Sequence, residues 1–146
     1  MKVLALRFSD NYAPEEGTIR LHEELINEYG FVWYGKFGNK IKQSTIDEMM
    51  DTEDPKFLMI KSGKADRYWA HFSEVSYEDP ELKYIPEYYR NNHGKVGCWF
   101  KITEFEKADS KVMSLCTVIS SGQPLSQISK HCMSPTFIVE YKEEEK

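Results

Sequence analysis

The sequence predicts an α+β fold: a strongly bent mixed sheet or small β-barrel with two or three short helices on its outside. Three observations predict it. About six strand-like segments are spread along 146 residues, and hairpin-like turns join several of them. One amphipathic helical stretch follows the first segment, and shorter helical turns follow later ones. No internal repeat or low-complexity segment interrupts the chain, so one bent sheet with helices against it accounts for the pattern.

Taken in order, residues 3–8 alternate and carry apolar side chains, which predicts a first, central strand. Ser9, Asp10, Asn11 and Pro14 break it. A helix is expected from Glu15 to Tyr29, with acidic residues in its first turn, an apolar stripe through Ile19, Leu25, Ile26 and Tyr29, and Gly30 just past its end. An aromatic strand, Phe31-Val-Trp-Tyr34, runs into a Gly- and Lys-bearing turn. Ser44 to Asp47 has the form of a capping box with Asp in place of the stronger Glu or Gln, opening a short helix to Met50. Pro55 precedes Phe57-Leu-Met-Ile60, an apolar run expected to be buried on both faces, and residues 68–75 form its hairpin partner across a turn at 62–66. Residues 76–94 show no period, and a connection this long in a compact domain is functional or disordered. Val96, Cys98, Phe100 and Ile102 then alternate against polar and aromatic neighbours, the clearest strand signal in the chain. A further strand is expected around residues 112–119, a turn at Gly122-Gln-Pro124, a helical turn over 125–130, and a closing strand over 137–139.

Composition narrows the class. With 40% hydrophobic and 14% aromatic residues the chain reads as one globular domain over residues 1–141, with 142–146 as an acidic tail or the start of a linker. No apolar run reaches membrane-span length and no signal peptide is evident, so a soluble cytoplasmic protein is expected. Cys98, Cys116 and Cys132 are odd in number and widely spaced, which indicates neither a disulfide framework nor a zinc site. A net charge of −5 argues against indiscriminate nucleic-acid binding, which needs many phosphate contacts, and leaves open a domain that grips one base.

The stretch from Tyr29 to Lys40 carries the strongest functional signal. Trp33 and Tyr34 supply flat rings for stacking, beside a turn suited to a phosphate. Its Gly30 to Gly35-Lys36 spacing imitates a P-loop, yet position 37 is Phe where Ser or Thr is required. The bland reading, a core strand, fits the same residues because strands are enriched in aromatics. For catalysis, His71 and Glu74 are three apart on one strand and face opposite ways. Asp79, Glu81 and Glu87 are ordinary loop carboxylates. No enzyme is expected, and no cofactor or metal.

These residues resemble a known group. The order of strand, helix, Phe31-Val-Trp33, the Gly38-Asn39-Lys40 turn, a helix and a hairpin is similar to the YTH and EVE branch of the PUA-like superfamily, over about residues 3–140. In YTH domains a Trp placed like Trp33 and followed by such a Gly-Asn-Lys forms one wall of an aromatic cage around N6-methyladenine. Residues 80–100, with a paired Tyr before a Trp-Phe strand, resemble the EVE pattern, and Pro124 to Lys130 resembles a C-terminal YTH segment whose basic residue touches the bound strand. The resemblance implies a module that captures a flipped or unpaired, methylated base, N6-methyladenine-like or a modified cytosine, in DNA or RNA, without catalysis. It also implies a fused or associated nuclease or motor subunit, as in modification-dependent restriction systems. On this reading Trp33 is one wall and Tyr88, Tyr89 or Trp69 the other. Ser9, Asn11, Tyr34 and Asn39 supply polar contacts to the base, and Lys36, Lys40, Arg90 and Lys130 hold the phosphate backbone. Two alternatives stand beside it: a PUA-like RNA-binding module indifferent to methylation, and a protein-assembly domain.

Overall fold

The computed structural model describes residues 1–8, 17–61, 67–91, 95–131, 134 and 136–142. In chain order the elements are β1 (Lys2–Phe8), α1 (Thr18–Tyr29), β2 (Val32–Phe37), α2 (Gln43–Met50), β3 (Lys56–Lys61), β4 (Arg67–Ser76), β5 (Val96–Lys107), β6 (Cys116–Val118), α3 (Leu125–His131) and β7 (Thr136–Tyr141). The strands form a seven-stranded sheet in the order β2-β5-β4-β3-β1-β7-β6. β1 runs parallel to β3 and antiparallel to β7, so the sheet is mixed and the fold is α+β.

The chain divides into two compact units. The first comprises Met1–Phe8, Lys56–Trp69 and Glu106–Lys146. Ala5 pairs with Leu58 on one side and Phe137 on the other. The alternation therefore sends Val3, Ala5, Leu58, Ile60, Phe137 and Val139 to one face, where they form a core with Trp69, Met113 and Leu125. The run Phe57 to Ile60 is buried at every position, as its unbroken apolar character requires. Arg7 fastens β1 to the segment around α3, its Nε donating to the Ser134 carbonyl at 3.0 Å and its guanidinium to that of Ser129 at 2.7 Å.

The second unit comprises Ser9–Pro55 and Ala70–Phe105. In α1, Ile19 and His22 are buried while Glu23, Glu24 and Glu28 face water. Gly30 closes the helix, its N–H reaching the Ile26 carbonyl at 2.7 Å. The connection between β4 and β5 contains 3-10 turns at Leu82–Tyr84 and Glu87–Asn91. Pro86 sets up the second of these, with Tyr89 N–H bonding back to its carbonyl at 3.1 Å.

Four sequence expectations need correction. α1 starts at Thr18 after Gly17, and Glu15 and Glu16 lie outside the described residues. Tyr29 is exposed, because the helix turns its buried stripe through His22 instead. Among the described residues no side chain caps the start of α2; Lys42 is the N-cap, and Asp47 accepts from Gln43 one turn away at 2.9 Å. The strand expected over 112–119 is a 3-10 turn, Ser110–Ser114, followed by the short β6. The Asp109 carboxylate accepts the Lys111 N–H at 2.8 Å, and this cap starts a helical turn that inserts Val112 and Met113 into the core.

Candidate nucleic-acid interface

Strand β2 pairs antiparallel with β5, Trp33 opposite Lys101 and Gly35 opposite Trp99, and it is the outermost strand on its side of the sheet. Alternation puts Trp33, Gly35 and Phe37 on one face. There Trp33 and Phe37 pack, half-buried, on a sealed cluster of Ile85, Tyr89 and Trp99, and the half-buried Tyr88 packs on the same cluster. Trp33 and Tyr88 are thus brought to one aromatic group. Trp99 is 1% exposed and donates its indole N–H to Asp79 at 3.2 Å, so its ring and its polar handle are both used internally.

Tyr89 explains how the edge of the sheet is closed. Its fully buried hydroxyl accepts the Gly35 N–H at 3.0 Å and donates to the Gly35 carbonyl at 2.9 Å, doing for the outer edge of β2 what another strand would do. Glycine is required at 35 because a Cβ would stand 2.8 Å from the Trp99 ring and 2.9 Å from the Tyr89 ring. Burial, with Tyr88 and Tyr34 nearby, pushes the Tyr89 hydroxyl well above the ordinary tyrosine range.

The Gly38-Asn39-Lys40 turn is held from two sides. Gly97 of β5 lies directly beneath it, where any Cβ would strike the Gly38 carbonyl and, at 2.6 Å, the Lys40 nitrogen. Lys36 is 8% exposed and donates its ammonium to the Asn39 carbonyl at 2.7 Å and the Phe37 carbonyl at 3.4 Å. Burial lowers its pKa, with Cys98 acting in the opposite direction. Asn39 and Lys40 are exposed at the turn, and Lys40 Nζ lies 5.2 Å from the Tyr77 ring centre. Tyr77 is itself anchored through its hydroxyl to the Ile41 carbonyl at 2.6 Å.

On the opposite face of β2, Tyr34 is buried against His22, with ring centres 5.3 Å apart. His22 is enclosed by Tyr34, Tyr88, Tyr89 and Phe105. Its Nδ1 is 2.8 Å from the Thr18 carbonyl, which can only accept, so the proton sits there. Nε2 is buried without a hydrogen-bond partner among the described residues. Burial holds the pKa down at about 4, against the opposing effect of the Thr18 bond.

The remaining sequence candidates are distributed as follows. Arg90 is exposed at the 3-10 turn after Pro86. Trp69 and Lys130 belong to the other unit. Trp69 is 5% exposed, with the Lys56 ammonium 4.5 Å from its ring centre and Tyr141 at 4.9 Å. Lys130 is exposed on α3. Ser9 and Asn11 lie outside the described residues, as does Cys132. Sequence reasoning missed two residues that shape this region. His22 falls three residues after Ile19 and four before Ile26, a spacing that assigns it to the buried stripe whatever its polarity. Gly97 stands inside a regular alternating strand, where a lone glycine signals close approach of another backbone.

The sequence profile of the PUA-like family matches residues 4–136. The chain belongs to the PUA-like family. No curated protein and no solved structure matches it. Membership in the PUA-like family supports a nucleic-acid-binding module as the functional class. Among the described residues no helix is long and apolar enough to cross a membrane.

Proposed function

We propose that this PUA-like chain is a reader of the YTH and EVE type, a non-catalytic cytoplasmic module that captures one unpaired or flipped methylated base between Trp33 and Tyr88. The observation that carries the reading is the contrast among its tryptophans. Trp99 and Trp69 are sealed, whereas Trp33 is half-buried near the start of β2 and packs on the same cluster as the half-buried Tyr88, with Asn39 and Lys40 exposed in the turn that follows the strand.

Each part has a physical role. Stacking on one ring is worth about 1–3 kcal/mol per base, and enclosing a methyl adds roughly 0.8 kcal/mol, a factor of about four in affinity. Asn39 supplies an amide for the base edge, because unpaired donors and acceptors in the slot would each cost about 1–3 kcal/mol. Lys40 and Arg90 contact the phosphate backbone. Tyr89, with both hydroxyl bonds made to Gly35, and Lys36, tied into the turn, hold the rings and the turn in position. An affinity near micromolar is expected, sufficient for a module that works beside a nuclease or motor subunit.

The test is titration of short single-stranded RNA and DNA, with and without N6-methyladenine or a modified cytosine, followed by tryptophan fluorescence. Quenching by the methylated strand, lost in Trp33→Ala while the fold persists, is the expected result. Binding that ignores the methyl favours the RNA-binding module, and unchanged affinity in Trp33→Ala ends the base-reader reading.

A further inference from the structure

We propose that the first unit carries a second, unrelated site, a pocket for a small amphiphile with an apolar tail and a carboxylate head. A cavity of about 560 Å³ lies along β6 and β7, within the roughly 300–1,000 Å³ of small-molecule sites. Val118, Ile128 and Phe137 form its apolar lining together with Ile119 and Ile138. The last two are 48% and 39% exposed. Large apolar side chains exposed singly need no explanation, but two that line the same cavity create a surface that an apolar tail would cover.

The polar groups select the head. Ser120, Ser121 and Ser134 also line the cavity, and Lys2 is the one charged side chain among the described residues that do so. Thr136, also in the lining, has a buried Oγ1 with no hydrogen-bond partner among the described residues. A carboxylate offers acceptors to both this hydroxyl and the Lys2 ammonium, and an apolar tail alone would leave the hydroxyl unpaired. The charge of the unit agrees: it has eleven Lys and Arg against seven Asp and Glu. An ammonium head would meet a cation and no lining carboxylate.

The experiment uses the full chain and hexanoate, octanoate and decanoate as probes, with octanol and octylammonium as controls, read by calorimetry and by amide shifts in NMR spectra. Octanoate should bind one-to-one, with affinity rising about fourfold per added methylene, the factor given by roughly 0.8 kcal/mol per buried CH₂. Ile138→Glu and Ile119→Glu change exposed positions, so the fold is retained, and each should weaken octanoate at least tenfold. Lys2→Gln should weaken octanoate and leave octanol unchanged, and Thr136→Val should weaken both. Trp33→Ala should leave octanoate binding intact, which separates this site from the base reader. Absence of saturable octanoate binding at millimolar concentration overturns the proposal. So does undiminished binding in Ile138→Glu, or octylammonium binding as well as octanoate.

Discussion

Counted over their residues, the first unit has eleven basic side chains against seven acidic, and the second has eight against seventeen. The half-open aromatic group belongs to the second, the acid-rich one. In the first, the aromatic residues are spent on the core: Trp69 is sealed with Tyr141, and Lys56 covers its ring. The difference teaches what sort of binding the Trp33 region can support. A nucleic acid approaching an acidic surface gains little from long-range attraction, so affinity there must come from stacking and from the few cations at the turn. Shallow salt dependence is the consequence.

The tryptophans give the largest effect that could break this comparison. Trp99→Ala and Trp69→Ala each remove a sealed ring and should lose about 3–5 kcal/mol in urea unfolding. Trp33→Ala removes a half-buried ring and should lose about 1 kcal/mol while abolishing quenching by oligonucleotide. Equal losses in all three variants would mean that Trp33 is as structural as the others.

Acid should act on the second unit through His22. Burial takes its pKa from 6.5 to about 4, so between those values the unfolded chain binds a proton that the folded chain refuses. Stability is therefore complete above pH 6.5 and falls as the pH drops toward 4, by about 3 kcal/mol at the limit. Urea midpoints of wild type and His22→Gln at pH 7 and 4.5 isolate this contribution from the carboxylates. The variant should lose less on acidification, and equal losses would show that His22 accepts its proton in the folded state.

A smaller effect is expected from the edge of β2. Tyr89→Phe keeps the ring and deletes the hydroxyl that serves both Gly35 backbone groups, leaving them unpaired at about 1–3 kcal/mol in total. Hydrogen exchange at the Gly35 amide should accelerate more than at its neighbours in β5. Uniform exchange across both strands would mean that the hydroxyl does not guard the edge.

How much of this was legible in the sequence depends on whether the cause is local. The α+β class, the buried run at Phe57, the alternating strand at Val96 and the closure of α1 at Gly30 follow from period and chain stereochemistry, and they are found as expected. The strand expected at 112–119 is found only as the short β6, because one carboxylate, Asp109, caps a turn over its first half that apolar content cannot reveal. At the candidate site, Trp33 and the Gly38 turn stand out in the sequence. The partners that position them do not: Tyr89 reaches Gly35 from 54 residues away, and Gly97 supports the turn from β5. Contacts between segments so distant are set by the packing of the whole unit, and composition or spacing does not encode them visibly. Lys36 illustrates the same limit. Its sequence position beside Lys40 suggests a shared role, but strand alternation turns its side chain inward to the carbonyls of the turn.

That contrast between Lys36 at the end of β2 and Lys40 in the turn that follows yields the smallest and sharpest prediction. Lys40 is exposed, so Lys40→Gln should leave the melting temperature unchanged, weaken all oligonucleotide sequences alike, and lower the slope of log affinity against log salt by about one unit or less. Arg90→Gln, also at an exposed position, should behave in the same way. Lys36→Met keeps most of the stem and removes the ammonium, leaving the Asn39 and Phe37 carbonyls without that donor. It should lower stability by about 1–3 kcal/mol and weaken binding through the displaced turn, while the salt slope stays where it was because no phosphate contact is lost. A reduced slope in Lys36→Met together with an unchanged one in Lys40→Gln would reverse the two assignments. The buried lysine would then be the group that meets the nucleic acid, which requires the turn to open on binding.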